Sequence, residues 1–148
     1  MTPTLQETGN RKPEKSYIPY AINPLFINAF NTILERCSQS KTYKCLVVTQ
    51  ANAYKHDTPA AFQKRFWMNP PDADYTIDLP FMIKTAALYN RFMLNQASLH
   101  HIAVCDLDRQ LQTPYRYFYD DVHFNAAGAE KVSQIIKNCV TDQLLLDQ

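Results

Sequence analysis

Asp120 and His123 are three residues apart, a spacing at which one tight turn can bring a carboxylate onto an imidazole. An imidazole held by a carboxylate at one ring nitrogen leaves the other nitrogen free to take a proton from a nucleophile. The chemistry this implies is general-base activation of a nucleophile. Asp-x-x-His is common by chance, so the pair acquires meaning only from its setting. Gln50, at the end of an apolar run, and Tyr54 and Trp67, in the long segment after it, are the residues placed to line a substrate cleft beside the pair. Loop capping by Gln50 and a surface loop stapled by aromatics are the plainer readings of the same residues. Asp121, next to the pair, reads as a surface acid. His56, His100 and His101 lack partners at ligand spacing, so no metal is expected, and nothing calls for a cofactor.

The elements that must position these residues follow from local signals. Asn23-Pro24 is a helix start, and Leu25, Phe26, Ala29, Phe30, Ile33, Leu34 and Cys37 follow at helical spacing as one buried stripe. Lys44 to Thr49 is a compact apolar run, expected as a strand buried on both faces. Residues 51–75 carry no clear period; within them Pro59 to Trp67 suits a short helix. Asp78 and Pro80 open a second long helix reaching about Ser98, and Ile102 to Leu107 is the next buried strand. After a Tyr/Pro-rich stretch come Asp120 and His123, and Asn125 caps a last helix with the stripe Ala129, Val132, Ile135, Ile136, Cys139 and Val140. Alternation of this kind implies a parallel α/β sheet with helices on both faces. Ligands in such sheets sit outside the carboxyl ends of the strands, where the Asp–His turn falls. Two strands alone leave both outer edges unpaired, which favours pairing with a partner chain or self-association.

The segment Tyr117-Phe-Tyr-Asp-Asp-Val-His-Phe-Asn-Ala-Ala-Gly128 resembles the last sequence block of the SGNH (GDSL-like) hydrolase superfamily. Leu25 to Cys37, Cys45 to Gln50, Tyr89-Asn-Arg and Ile102 to Leu107 resemble the preceding pieces in the same order, so the likeness spans roughly residues 25 to 140. The resemblance implies a partial flavodoxin-like three-layer α/β/α fold of parallel strands and flanking helices, with the N-terminal strands missing. It implies a serine esterase or lipase-like activity on carboxylic esters, with His123 as general base and Asp120 as its orienting acid. The family's Gly-Asp-Ser nucleophile block and its glycine and Gly-x-Asn-Asp oxyanion blocks have no counterpart here. Ser16, Ser38, Ser40, Ser98 and Ser133 all lack a nucleophile-elbow context. The chain is therefore expected to be the C-terminal Asp–His half of a truncated hydrolase, inactive alone. The alternative is a non-catalytic binding or interaction module built on the same half, or an unrelated small α/β protein.

Composition narrows the field. The 148 residues suffice for one domain, expected over 21–148 behind a flexible polar arm at 1–20. A net charge of +1 with no basic block gives no reason to expect nucleic acid as a partner. No stretch has the make-up of a signal peptide or a membrane span, so a soluble protein is expected. Only two glycines occur, which speaks against a phosphate-binding loop or a full set of oxyanion turns. The four cysteines, Cys37, Cys45, Cys105 and Cys139, form no C-x-x-C pair and read as small buried hydrophobes rather than a disulfide framework.

Overall fold

The computed structural model describes residues 14–16, 21–68, 70, 72–111 and 114–145. Most of the arm expected at 1–20 lies outside the described residues. Its Glu14–Lys15 forms a short strand, β1, whose pairing appears below.

Helix α1, Pro24–Gln39, starts where Asn23 Oδ1 accepts the Leu25 N–H at 2.8 Å, with Pro24 in the first turn, where a missing N–H costs nothing. Strand β2 is Leu46–Val48, shorter at both ends than the apolar run. The long segment after it contains one brief helix, α2, Ala60–Gln63, and a short strand, β3, Thr76–Ile77. Helix α3, Leu79–Leu99, is capped by Asp78, whose carboxylate accepts the Phe81 N–H at 2.8 Å. With glycine scarce, α3 stops on His101, which takes the left-handed conformation at φ 54°. There Ile102 N–H reaches back to Ala97 O at 2.9 Å. Strand β4, Ala103–Cys105, runs into a single helical turn, α4, Leu107–Gln110. A 3₁₀ turn at Pro114–Tyr117 precedes the Asp–His segment, and Asn125 caps the last helix, α5, Ala126–Val140. A wider helical turn, Thr141–Leu145, closes the described chain.

The order and type of these elements match the α/β alternation read from the sequence. β2 and β4 pair in parallel, Leu46 opposite Ala103, Val47 opposite Val104 and Val48 opposite Cys105. β1 and β3 form a second parallel pair, apart from the first. Successive strand residues face opposite sides. Val47 and Val104 accordingly pack with Leu34 of α1 and Ala97 of α3. Cys105 packs with Val132, Ile135 and Cys139 of α5. The β2–β4 ribbon thus lies between two helical layers.

Its two edges differ. The Thr49 N–H donates to Cys105 O at 3.1 Å, so Thr49 and Val47 turn their backbone groups toward β4, while Leu46 and Val48 turn theirs outward. No described residue hydrogen-bonds those outward groups. On the far edge, the Val104 N–H donates to Oε1 of Gln143 at 3.1 Å, and Lys44 Nζ donates to Leu144 O at 3.0 Å. The closing turn therefore covers the β4 edge.

Three expectations are corrected. The cysteines are not free: Cys37 bonds to Cys45 and Cys105 to Cys139, with Cα atoms 5.9 and 5.7 Å apart. Each bond joins a helix to the sheet side it packs on, a pairing that depends on which elements meet and not on local spacing. The stripe on α1 is also narrower than its periodicity implies. Phe26, Phe30 and Leu34 turn inward, whereas Leu25 is 77% and Ile33 57% exposed, because a two-stranded ribbon is too narrow to cover the full apolar face. Finally, Asp121 is not a surface acid; it is 2% exposed.

Candidate active site

The Asp–His segment is a closed turn on a short antiparallel bridge between Phe118 and Phe124, whose rings pack 4.8 Å apart. Within it the Tyr119 N–H donates to His123 O at 2.8 Å. Asn125 fastens the turn to α5. Its Oδ1 accepts the Gly128 N–H, and its Nδ2 donates to Arg116 O, both at 2.8 Å. Gly128 is required here: a Cβ on it would lie 2.0 Å from Tyr117 O. The helix can meet the turn this closely only where it has no side chain.

Asp120 uses both carboxylate oxygens. Oδ1 accepts the N–H groups of Val122 and His123 at 2.9 and 2.8 Å, an Asx-type turn, and Oδ2 lies 2.8 Å from Nδ1 of His123. With the carboxylate as acceptor, Nδ1 carries the proton and the Nε2 lone pair is free. The imidazole is 76% exposed, so Nε2 is open to an incoming group. Burial pushes the Asp120 carboxyl up, but the two backbone N–H groups and the His123 ring outweigh it and hold it below the usual range. The hydrogen bond and charge of Asp120 raise His123.

Asp121 turns the other way. Its Oδ2 accepts the hydroxyl of Tyr54 and, at 3.1 Å, the backbone N–H of Trp67. Its carbonyl oxygen accepts the Ala53 N–H at 2.8 Å. Burial raises its carboxyl against these donors, and burial together with the Asp121 carboxylate pushes the Tyr54 hydroxyl far up.

The strand ends below the turn hold a polar network. Thr49 Oγ1 donates to Asp106 and accepts the Asp108 N–H, both at 3.0 Å. Asp108 also receives the side chain of Asn52 at 3.3 Å and Lys55 Nζ at 2.8 Å. These residues bind the β2 end to the β4 end and fix the start of the segment that Asp121 grips.

The residues singled out for substrate contact separate. Tyr54 is buried, edge-on to Phe66, and anchors the loop rather than lining a cleft. Trp67 sits beside the turn through its backbone, and its side chain is 68% exposed. Gln50 lies elsewhere, paired through its backbone with Asn90 at 2.9 and 3.0 Å, on an apolar groove of about 510 Å³ with Phe26, Phe30 and Tyr89. Two further exposed apolar side chains, Tyr119 and Val122, flank Asp120 within the turn. Their adjacency to Asp120 was the signal available in the sequence. No hydroxyl or thiol among the described residues hydrogen-bonds Nε2 of His123. Among those residues, no group of three His, Cys, Asp or Glu is placed to hold a metal, and no helix is long and apolar enough to cross a membrane.

No family model, no curated protein and no solved structure matches the chain.

Proposed function

We propose that the chain carries the acid–base half of an SGNH-type ester hydrolase, with Asp120 and His123 as the dyad and the nucleophile supplied from outside the described residues. The observation that carries the reading is the 2.8 Å contact between Asp120 Oδ2 and His123 Nδ1, at the sheet's carboxyl end, with Nε2 left open. In the step this serves, a hydroxyl oxygen attacks the ester carbonyl and its proton passes to Nε2. Asp120 stabilises the imidazolium, which then returns the proton to the departing alkoxide. Water repeats the sequence on the acyl intermediate to release the acid. Trp67, Tyr119 and Val122 offer apolar surface for the group on either side of the ester bond.

Release of nitrophenol from p-nitrophenyl acetate, followed across a pH series that reaches above the His123 titration, tests the reading on the chain, His123→Ala and Asp120→Asn. Any exposed histidine hydrolyses this ester slowly, so His123→Ala alone decides little. Asp120→Asn keeps the imidazole and removes its orienting charge. A slow release without a burst, lowered by Asp120→Asn to the His123→Ala level, supports the dyad. A wild-type rate in Asp120→Asn overturns it. A burst with an acyl group trapped on a serine would place the nucleophile within the chain instead. A second reading, a non-catalytic interaction module, is favoured by the unpaired outer edge at Leu46 and Val48. Concentration-dependent association in sedimentation would support that reading, and a monomer at every concentration would exclude self-association through that edge.

A further inference from the structure

We infer that Asp121 is a positioning residue for the dyad, tying the Ala51–Met68 segment to the turn that carries Asp120 and His123. The consequence for catalysis rests on the general-base reading of His123, but the contacts do not.

Two adjacent carboxylates divide the work. Asp120 spends both oxygens inside its own turn, on Val122 and His123. Asp121 reaches away from the turn and meets the 51–68 segment at three points, the N–H of Ala53, the hydroxyl of Tyr54 and the N–H of Trp67. Ala53 and Tyr54 lie together near the start of the segment and Trp67 lies near its end, so one residue joins both ends of the segment to the turn. The side-chain contacts converge on Oδ2, and Oδ1 is buried without a hydrogen-bond partner among the described residues.

A carboxylate in such a place is costly, and a neutral amide could accept the same two donors. What an amide could not supply is negative charge behind the imidazole. The titratable groups facing Asp121 are Tyr54 from the segment and Asp120 and His123 from its own turn, with Trp67 contributing only its N–H. Asp121 therefore acts on His123 in two ways. It holds the turn in place, and its charge adds to that of Asp120 in favouring the protonated ring.

Nuclear magnetic resonance on the full chain separates these effects, using Asp121→Asn and Tyr54→Phe. Asp121→Asn should lower the pH at which the His123 ring titrates, although the Asp120 contact is intact. A purely structural role would leave that titration in place. Asp121→Asn weakens the Trp67 hydrogen bond from charged to neutral and should speed exchange at that amide several-fold, whereas Tyr54→Phe removes one tie of the segment to the turn and should speed exchange at the Trp67 and Ala53 amides about tenfold. Folded variants with unchanged titration and unchanged exchange would overturn the inference. If Asp121→Asn does not fold, Tyr54→Phe decides it, because faster exchange at both amides is expected there and unchanged exchange is the overturning result. The ester reading fails separately, as an absence of His123-dependent turnover with the resonance differences intact.

Discussion

Replacing Cys105 and Cys139 together by alanine should cost far more stability than two small buried side chains suggest. The bond joins residues 34 apart in sequence, from the end of β4 to the last turn of α5. In the chain-entropy treatment, a loop of this length removes about 13 cal/mol/K from the unfolded ensemble, or about 3.8 kcal/mol at room temperature. The Cys37–Cys45 bond spans only 8 residues, and the same treatment gives it about 2.5 kcal/mol. A chain of this size shifts its melting temperature by roughly 2–4 °C per kcal/mol, so the longer loop corresponds to about 8–15 °C. Urea unfolding of the oxidised protein, of each double-alanine variant and of the fully reduced protein measures all three losses. Thiol counting on the denatured, unreduced protein verifies the starting state. Equal midpoints for the oxidised protein and the Cys105/Cys139 variant would refute the loop argument, as would four free thiols before reduction. A larger loss from the short loop than from the long one would also refute it.

Asp120→Asn should lower stability by about 0.2–1 kcal/mol, the range for an exposed pair, since the His123 side chain is 76% exposed. Asp120 is held below its ordinary 3.8, so its contribution is present above that value and lost as pH falls through the folded one. His123 is raised above its ordinary 6.5, so its contribution is full below that value and lost as pH rises through the folded one. The gap between wild type and variant in denaturant midpoint should therefore be widest between these two ordinary values and narrow on either side; a flat difference across pH would contradict the pairing. Gly128→Ala should cost at least about 2 kcal/mol by thermal unfolding and move the Asp120 and His123 resonances, because the new methyl meets the Tyr117 carbonyl. A neutral result there would mean that the turn does not sit so close on α5.

What was legible in the sequence is what local chemistry decides. Asn23, Asp78 and Asn125 cap the helices they were expected to cap, since a cap needs only a side chain and the N–H groups that follow it. Asp120 and His123 meet because three residues of Asx-type turn suffice to bring them together. The features that escaped depend on distant segments. Nothing near Cys105 marks Cys139 as its partner; the contact exists because α5 packs on that side of the sheet. Asp121 is polar and beside an exposed acid, and only Tyr54 and Trp67, arriving from elsewhere, bury it. Tyr54 misled for the same reason, because an aromatic in a long loop carries no local sign of facing inward. Leu25 and Ile33 share the periodicity of Phe26 and Phe30, but a period defines a face without saying how much will cover it.

The unequal edges of the central ribbon give the sheet a direction of growth. On the β2–β4 ribbon, among the described residues, hydrogen bonds in register are offered from Leu46 and Val48, while the opposite margin is plugged by Gln143 and the turn that holds it. Head-to-tail stacking of copies into a filament needs two open margins on each molecule. With one, strand addition has a single terminus: a complementary segment can join there, or a second copy can meet it symmetrically. A symmetric second copy closes that margin and ends growth at its first step, whereas an added segment puts its own outer edge in the same place.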